Sequence, residues 1–393
     1  MTGPHLLDAT MFWPRSGVGG VRRLITTKRA ALSARGWRHT LVAPGASGAG
    51  MLDCGGWPIP FSGGYRFVAD RRHVAQLIER AEPDIIEAAD PYTLAWAALD
   101  AARALHLPSV AFCHSNLAAM ARRWVGELPG QHTRRGRWAE RQARQYLARL
   151  YGEFELVLAP SRAMTALLHD LGVHHAQHQP LGVDCQVFHP AADDPSWRRA
   201  LERRLGLEPG THLLIYAGRF AAEKNLGLLA RAVSLLGPGH ALLAVGHGPR
   251  PPGGRHVHVL PPPPNSAQLA RLLASCDAFV HAGDQETFGL GALEAMACGT
   301  PVVANASGGL GELVYGAGIT LRSQRPEDWA DAILGALQHG DTQRRRTALE
   351  RARGLDWPVV LDMLERRYQR LLQPVRRAGD EPASTAHAHP RHA

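Results

Sequence analysis

The sequence predicts an α/β protein of two doubly wound parallel-sheet domains, and three observations carry that expectation. Short apolar runs alternate with helix-like stretches; this alternation is played twice, on either side of a proline-bearing segment; and 393 residues suffice for two domains at roughly 100–200 residues each. The first series of strand-like runs is His5–Thr10, His39–Pro44, Asp84–Asp90, Ser109–Ser115 and Leu156–Ser161. Each is apolar over most of its length, as a strand covered on both faces must be, and each is followed by a glycine or polar turn and a helical stretch. The second series is Leu213–Arg219, Ala241–Pro249, Val257–Pro261, Ala278–Gly283 and Pro301–Ser307. Between them Gln179–Arg204 holds three prolines, two adjacent aspartates and no clear strand, which reads as the connection.

The expected division is 1–185, 186–356, a terminal helix over 357–372, and a disordered tail over 373–393. Val360, Leu361, Leu364, Tyr368, Leu371 and Leu372 recur at helical spacing, so the terminal helix is amphipathic and its apolar stripe needs only a packing role. The tail has no apolar period, and its His387, His389 and His392 read as solvated rather than metal-binding.

Composition narrows the function. No run reaches the ~18–20 apolar residues of a bilayer-spanning helix, and the first 30 residues show no secretory pattern. Five scattered cysteines without a C-x-x-C pair suit a reducing cytoplasm. The net charge is +9, and of 44 basic residues only Lys28 and Lys224 are lysines. No nucleic-acid-binding signature accompanies the charge, which leaves phosphorylated small molecules or an anionic membrane as partners.

Four clusters could carry chemistry. Glu286 and Glu294 bracket the start of a helix near Phe288–Gly289 that follows a strand, where a parallel sheet binds ligands and free N–H groups meet an anion. The plainer reading makes Glu286 a helix-dipole acid and Glu294 a surface one. Arg219 and Lys224 follow the first strand of the second series, a fork and a point charge suited to a diphosphate. In a chain that otherwise writes arginine, a surviving lysine there argues for a specific ammonium. The loop Arg15–Arg23 is glycine-rich but lacks the third glycine of the dinucleotide fingerprint, with Arg22 in its place. Lys28, in the helix after it, reads equally as surface or functional. His114 ends a strand beside Ser115 and Asn116, where it could hydrogen-bond a sugar hydroxyl or shuttle a proton. No D-x-D triplet, H-E-x-x-H, G-x-S-x-G elbow or P-loop is present, so a bound diphosphate must be neutralised by protein groups.

Together the Glu286-x7-Glu294 pair, the Gly218-Arg219-x4-Lys224 run, Pro180-Leu-Gly-Val-Asp184 with Phe188-His-Pro190, and Met296-Ala-Cys-Gly-Thr-Pro-Val-Val303 resemble the retaining glycosyltransferases of family 4, which have the GT-B fold. The resemblance extends to about Leu372. It implies an acceptor-side first domain, a second domain holding a nucleotide-diphospho-sugar, and a terminal helix crossing back to the first. Carried over, Glu294 binds the ribose, Glu286 the donor sugar, and Arg219 and Lys224 the diphosphate. Backbone amides at Phe288, Gly289 and Leu290 face phosphate, Gly19 and Gly20 close on the donor, and His114 reaches the sugar. It further implies retaining hexosyl transfer without metal or cofactor, to a glycan or lipid-linked acceptor, as in cell-surface polysaccharide or glycolipid synthesis. Two places depart from the pattern: Gly20-Val-Arg-Arg23 stands where many members carry an acid, and Leu-Pro-Pro-Pro-Pro-Asn follows Val259. A sugar-nucleotide epimerase, or a non-catalytic binding protein, would use the same cleft.

Arginines 122, 123, 134, 135, 137, 141, 144 and 149 face only two acids in that stretch, Glu127 and Glu140. It reads either as a solvated basic helix or as a surface for an anionic membrane or a lipid-diphosphate acceptor, and a membrane contact would place the protein peripherally on the inner face.

Overall fold

A computed structural model describes residues 3–13, 19–60, 62, 64–125, 133–338 and 342–373. The expected tail beyond Gln373 and residues 15–18 of the glycine-rich loop fall outside them. The chain opens with β1 (His5–Ala9), α1 (Gly20–Ala34), β2 (Arg38–Ala43), β3 (Met51–Asp53) and a small hairpin, β4 (Trp57–Pro58) and β5 (Arg66–Phe67). It continues through α2 (Arg71–Arg80), β6 (Ile85–Ala88), α3 (Thr93–Leu105), β7 (Ser109–Phe112), α4 (Leu117–Trp124) and α5 (Arg134–Tyr151). β8 (Leu156–Ala159), α6 (Arg162–Asp170) and β9 (Ala176–His178) close the first sheet. Its order is β3-β2-β1-β6-β7-β8-β9, every pair parallel.

The second half begins with α7 (Pro195–Leu205), which occupies part of the segment expected to be plain connection. Its signals were there: Asp194 accepts from the N–H groups of Ser196 and Trp197, and Pro195 fills the first turn. Then come β10 (His212–Ala217), α8 (Leu226–Leu236), β11 (His240–Val245), β12 (Val257–Leu260), α9 (Ser266–Ala274) and β13 (Ala278–His281). α10 (Leu290–Ala297), β14 (Val302–Asn305), α11 (Gly308–Val314), β15 (Ile319–Leu321), α12 (Pro326–Leu337), α13 (Thr342–Gly354) and α14 (Trp357–Leu372) complete it. The second sheet runs β12-β11-β10-β13-β14-β15, again all parallel. β1, β6, β7, β8, β13 and β14 are buried at every residue, which fits their mostly apolar sequence.

In each sheet the strand order reverses once, at β1/β6 in the first and β10/β13 in the second. The carboxyl ends at such a switch point leave a crevice between diverging loops. Hydrogen bonds across the halves bring the two crevices together: Thr287 Oγ1 donates to the His114 carbonyl at 2.9 Å, and Arg123 on α4 reaches Asp284 at 3.0 Å. Glu312 on α11 accepts from the N–H groups of Arg162 and Ala163, capping α6 from the other half.

The chain crosses between halves twice, and the crossings run side by side. The Val183 N–H bonds the Leu355 carbonyl and the Trp357 N–H bonds the Val183 carbonyl, both at 2.9 Å. A side chain at Gly182 would place its Cβ 2.5 Å from the Trp357 ring, so only glycine lets the tryptophan seal this joint. α14 then packs on α1, with Trp37 Nε1 donating to Glu365 at 3.0 Å.

Lys28 is neither a surface nor a cleft residue. It is fully buried, with Nζ 2.7 Å from Asp8 Oδ1 and 2.6 Å from Glu87 Oε1, and 3.4 Å from the hydroxyl of Tyr368 on α14. Tyr368 in turn donates to Glu87 Oε2 at 2.5 Å, and His39 Nε2 lies 2.7 Å from Asp8. Burial works to raise the Asp8 carboxyl, but Lys28 and His39 outweigh it and hold it at about 2; burial prevails for Glu87, which is raised. Truncating Lys28 strands two buried carboxylates, so Lys28→Ala should destabilise the protein by about 3–5 kcal/mol in urea denaturation. With its folded pKa depressed, Asp8 contributes stability that is complete above pH ~4 and lost as pH falls toward 2.

Candidate active site

The donor-facing wall is built at the ends of β10 and β13. After β10 the backbone turns at Gly218, with the Tyr216 hydroxyl bonding the Arg219 carbonyl at 2.9 Å. Arg219 projects outward and pairs with Glu223 at 2.5 Å. Lys224 lies in a short 3-10 turn over Ala222–Lys224, just ahead of α8 rather than in its first turn, and its ammonium pairs with Glu286. His281, at the end of β13, supports the same carboxylate. Its Nδ1 accepts from the Gly283 N–H at 3.0 Å, which puts the ring proton on Nε2, 3.3 Å from Glu286 Oε1. Burial works to raise Glu286, yet Lys224 and His281 hold it well below the usual carboxylate range.

The loop 284–289 is pinned from behind by α11. The Gly309 N–H bonds the Glu286 carbonyl at 3.0 Å, and a Cβ on Gly309 would fall 2.1 Å from the Thr287 oxygen. Gly289 holds φ +107, and among the described residues no side chain caps α10. Its first N–H groups are left for an anion. The Phe288 side chain points into the core, so this residue can offer a ligand only its backbone. Gly291 brings α10 within a Cβ's reach of the Ala217 carbonyl, seating the helix on the end of β10. Glu294, one turn in, is 5% exposed and paired with Arg23 on α1. It is not a surface acid. Arg23 comes from the loop–helix that departs from the family pattern, and its charge matches a carboxylate on the facing domain.

The opposite wall belongs to the first domain. Gly19 precedes α1, and a Cβ on Gly20 would come within 3.0 Å of Leu290 Cδ1, so the starts of α1 and α10 nearly touch across the cleft. His114 stacks on Phe112 with ring centroids 4.1 Å apart. Its Nε2 and the Ser115 hydroxyl are buried without a hydrogen-bond partner among the described residues. Burial, reinforced by Lys28, lowers the imidazole to about 3. Of the two sequence expectations, the neutral hydrogen-bonding group fits and the proton shuttle near neutral pH does not. Asp90 ties the ends of β1 and β6 by accepting from Thr10 Oγ1 at 3.1 Å and the Met11 N–H at 2.5 Å.

Arg219, Lys224, Glu286, Glu294, the start of α10, Gly19, Gly20 and His114 thus lie at the facing ends of the two sheets, and Lys28 does not. Sequence reasoning passed over His281, Arg23 and the Arg123–Asp284 pair. His281 ends a strand that had been singled out, and that position was its available signal.

The comparisons agree with this geometry. The model described as Glycosyltransferase Family 4 matches residues 18–187, and that described as Glycosyl transferases group 1 matches 211–339. A GDP-mannose-dependent alpha-mannosyltransferase of Mycobacterium tuberculosis is 31% identical over 73% of this chain and 73% of its own. The chain belongs to glycosyltransferase family 4. A GDP-mannose-dependent alpha-(1-6)-phosphatidylinositol dimannoside mannosyltransferase from the same species is 29% identical over 89% of this chain and 91% of its own. Sucrose-phosphate synthase from Thermosynechococcus elongatus superposes with a TM-score of 0.75 over 94% of this chain and 99% of its own at 20% identity, which shows the shared GT-B fold. This family 4 glycosyltransferase therefore has its two sheets facing across a cleft, as its strand pattern predicts.

Because His114 is neutral, His114→Ala should lower turnover by the same factor at every pH from about 5 to 8. A loss that changes with pH across that range in steady-state assays would contradict this role.

Proposed function

We propose that this glycosyltransferase moves mannose from GDP-mannose to a lipid-linked or glycan acceptor, with retention of anomeric configuration. The observation that carries the reading is the convergence of Arg219, Lys224 and the uncapped start of α10 on one side of a cleft whose other side presents an unsatisfied His114 Nε2. The two relatives named above are GDP-mannose-dependent, and this supports the choice of donor.

In the proposed reaction the bond between the anomeric carbon and the diphosphate oxygen breaks, and the acceptor oxygen attaches to the same face. The acceptor's proton passes to the departing phosphate, and GDP leaves. Negative charge grows on the diphosphate as the bond breaks, so cations and N–H dipoles fixed in place stabilise the transition state more than the ground state. Arg219 and Lys224 supply this positive charge. The ribose hydroxyls take the place of Arg23 on Glu294, the donor sugar meets Glu286, and neutral His114 accepts from or donates to a sugar hydroxyl. Closure of Gly19 and Gly20 over the donor excludes water. We assign no dedicated metal to this chemistry, since protein groups supply the charge. Five free thiols, four of them buried, support a reducing compartment.

Thermal-shift titration should show GDP-mannose stabilising the protein more than UDP-glucose or UDP-N-acetylglucosamine at equal concentration. Release of GDP only when acceptor is present, unaffected by EDTA, is expected; isomerised donor without acceptor would indicate an epimerase instead. Lys224→Ala should cost about 2.7–4 kcal/mol of transition-state stabilisation, roughly 10²–10³ in kcat, with folding retained. Turnover near wild type in both Lys224→Ala and Glu294→Ala would overturn the assignment.

A further inference from the structure

The first domain carries a basic face that the cleft chemistry does not use. On α5, Arg134, Trp138, Arg141 and Gln145 recur at i, i+4, i+7 and i+11, and Arg135, Gln142 and Arg149 flank them; all seven are exposed. No acid interrupts this face. The helix's single acid, Glu140, turns aside to meet Arg122 of α4 at 3.2 Å. On the other side of α5, Leu147, Leu150 and Tyr151 sink into the domain core, so the helix is fixed with its basic face outward. Arg134, Arg135 and Arg141 form no ion pair among the described residues.

Two tryptophans stand exposed at the same place. Trp138 is 57% exposed and Trp124, at the end of α4, 65% exposed. The Arg122–Glu140 contact lies two residues from each, so it sets both beside the first turns of α5. Exposed tryptophan among unpaired arginines is poorly suited to water and well suited to the headgroup layer of a bilayer, where its ring is half solvated and phosphates neutralise the guanidinium groups.

We propose that α5 and the end of α4 form a docking surface for an anionic phospholipid bilayer. The surface connects with the cleft: α4 follows directly on from β7 and His114, and Arg123 in its last turn holds Asp284 beside Glu286. A docked enzyme thus presents the mouth of its cleft next to the membrane. The proposal does not depend on which donor or acceptor is used.

Co-flotation of the full chain with vesicles tests it. The protein should be recovered with vesicles containing phosphatidylglycerol and not with phosphatidylcholine alone, and should be released at about 1 M salt, where the screening length falls to ~3 Å. Each arginine near a charged surface is worth roughly fivefold in partitioning, so the triple variant Arg134→Gln, Arg135→Gln, Arg141→Gln should lose about a hundredfold. Trp124→Ala with Trp138→Ala should weaken binding at unchanged charge. The variants must retain the wild-type thermal shift with nucleotide-sugar, which separates a lost surface from a lost fold. Equal recovery from both vesicle types, or wild-type flotation by the variants, overturns the proposal. So does binding to heparin or RNA that depends on these arginines without any recovery in vesicles.

Discussion

The ammonium of Lys28 is the interaction on which the arrangement depends. It is held by one carboxylate from β1 and one from β6, the two strands at the switch point of the first sheet, and it touches the hydroxyl of Tyr368 from the last helix. A buried ion costs several kcal/mol unless its partners satisfy it, so this cluster tolerates few alternative arrangements. Each partner fixes something different. Asp8 and Glu87 set the pair of strands whose ends form the first crevice, while Tyr368 draws α14 across from the second half. The charge also reaches His114, helping to keep it neutral. One lysine thereby couples domain placement to the chemical state of a cleft residue.

In the cleft itself the charges are arranged in exchangeable pairs. Lys224 rests on Glu286, Arg219 on Glu223, and Arg23 on Glu294. Such pairing keeps each cation oriented without an external anion, and a diphosphate need only replace one partner with another. The N-terminus of α10 differs: among the described residues no side chain caps it, and the glycines of α11 behind it keep the loop from relaxing away.

Residues whose role follows from position on a strand end were legible in the sequence. Glu286, Arg219, Lys224 and His114 all follow apolar runs in a parallel-sheet pattern, which places them just beyond the carboxyl ends of strands. Roles that depend on distant partners were not. Lys28 finds its carboxylates 20 and 59 residues away and its tyrosine 340 residues away, and no local pattern distinguishes such a lysine from a surface one. Glu294 was open to reading as a surface acid because its burial comes from α1, on the other domain. The terminal helix was evident from its apolar period, and the motif resemblance supplied its destination. α7 went unrecognised because its apolar stripe is thin and charged residues dominate it, although its aspartate cap and first-turn proline were present.

The crossing of α14 has a consequence for the order of synthesis. The first domain is synthesised before the second, but its buried charge cluster is finished by Tyr368, 340 residues after Lys28. At about 5–20 residues per second, roughly 20–70 s pass between the two. Throughout that interval Lys28, Asp8 and Glu87 lack the covering helix. The domain made first is thus the last to be completed.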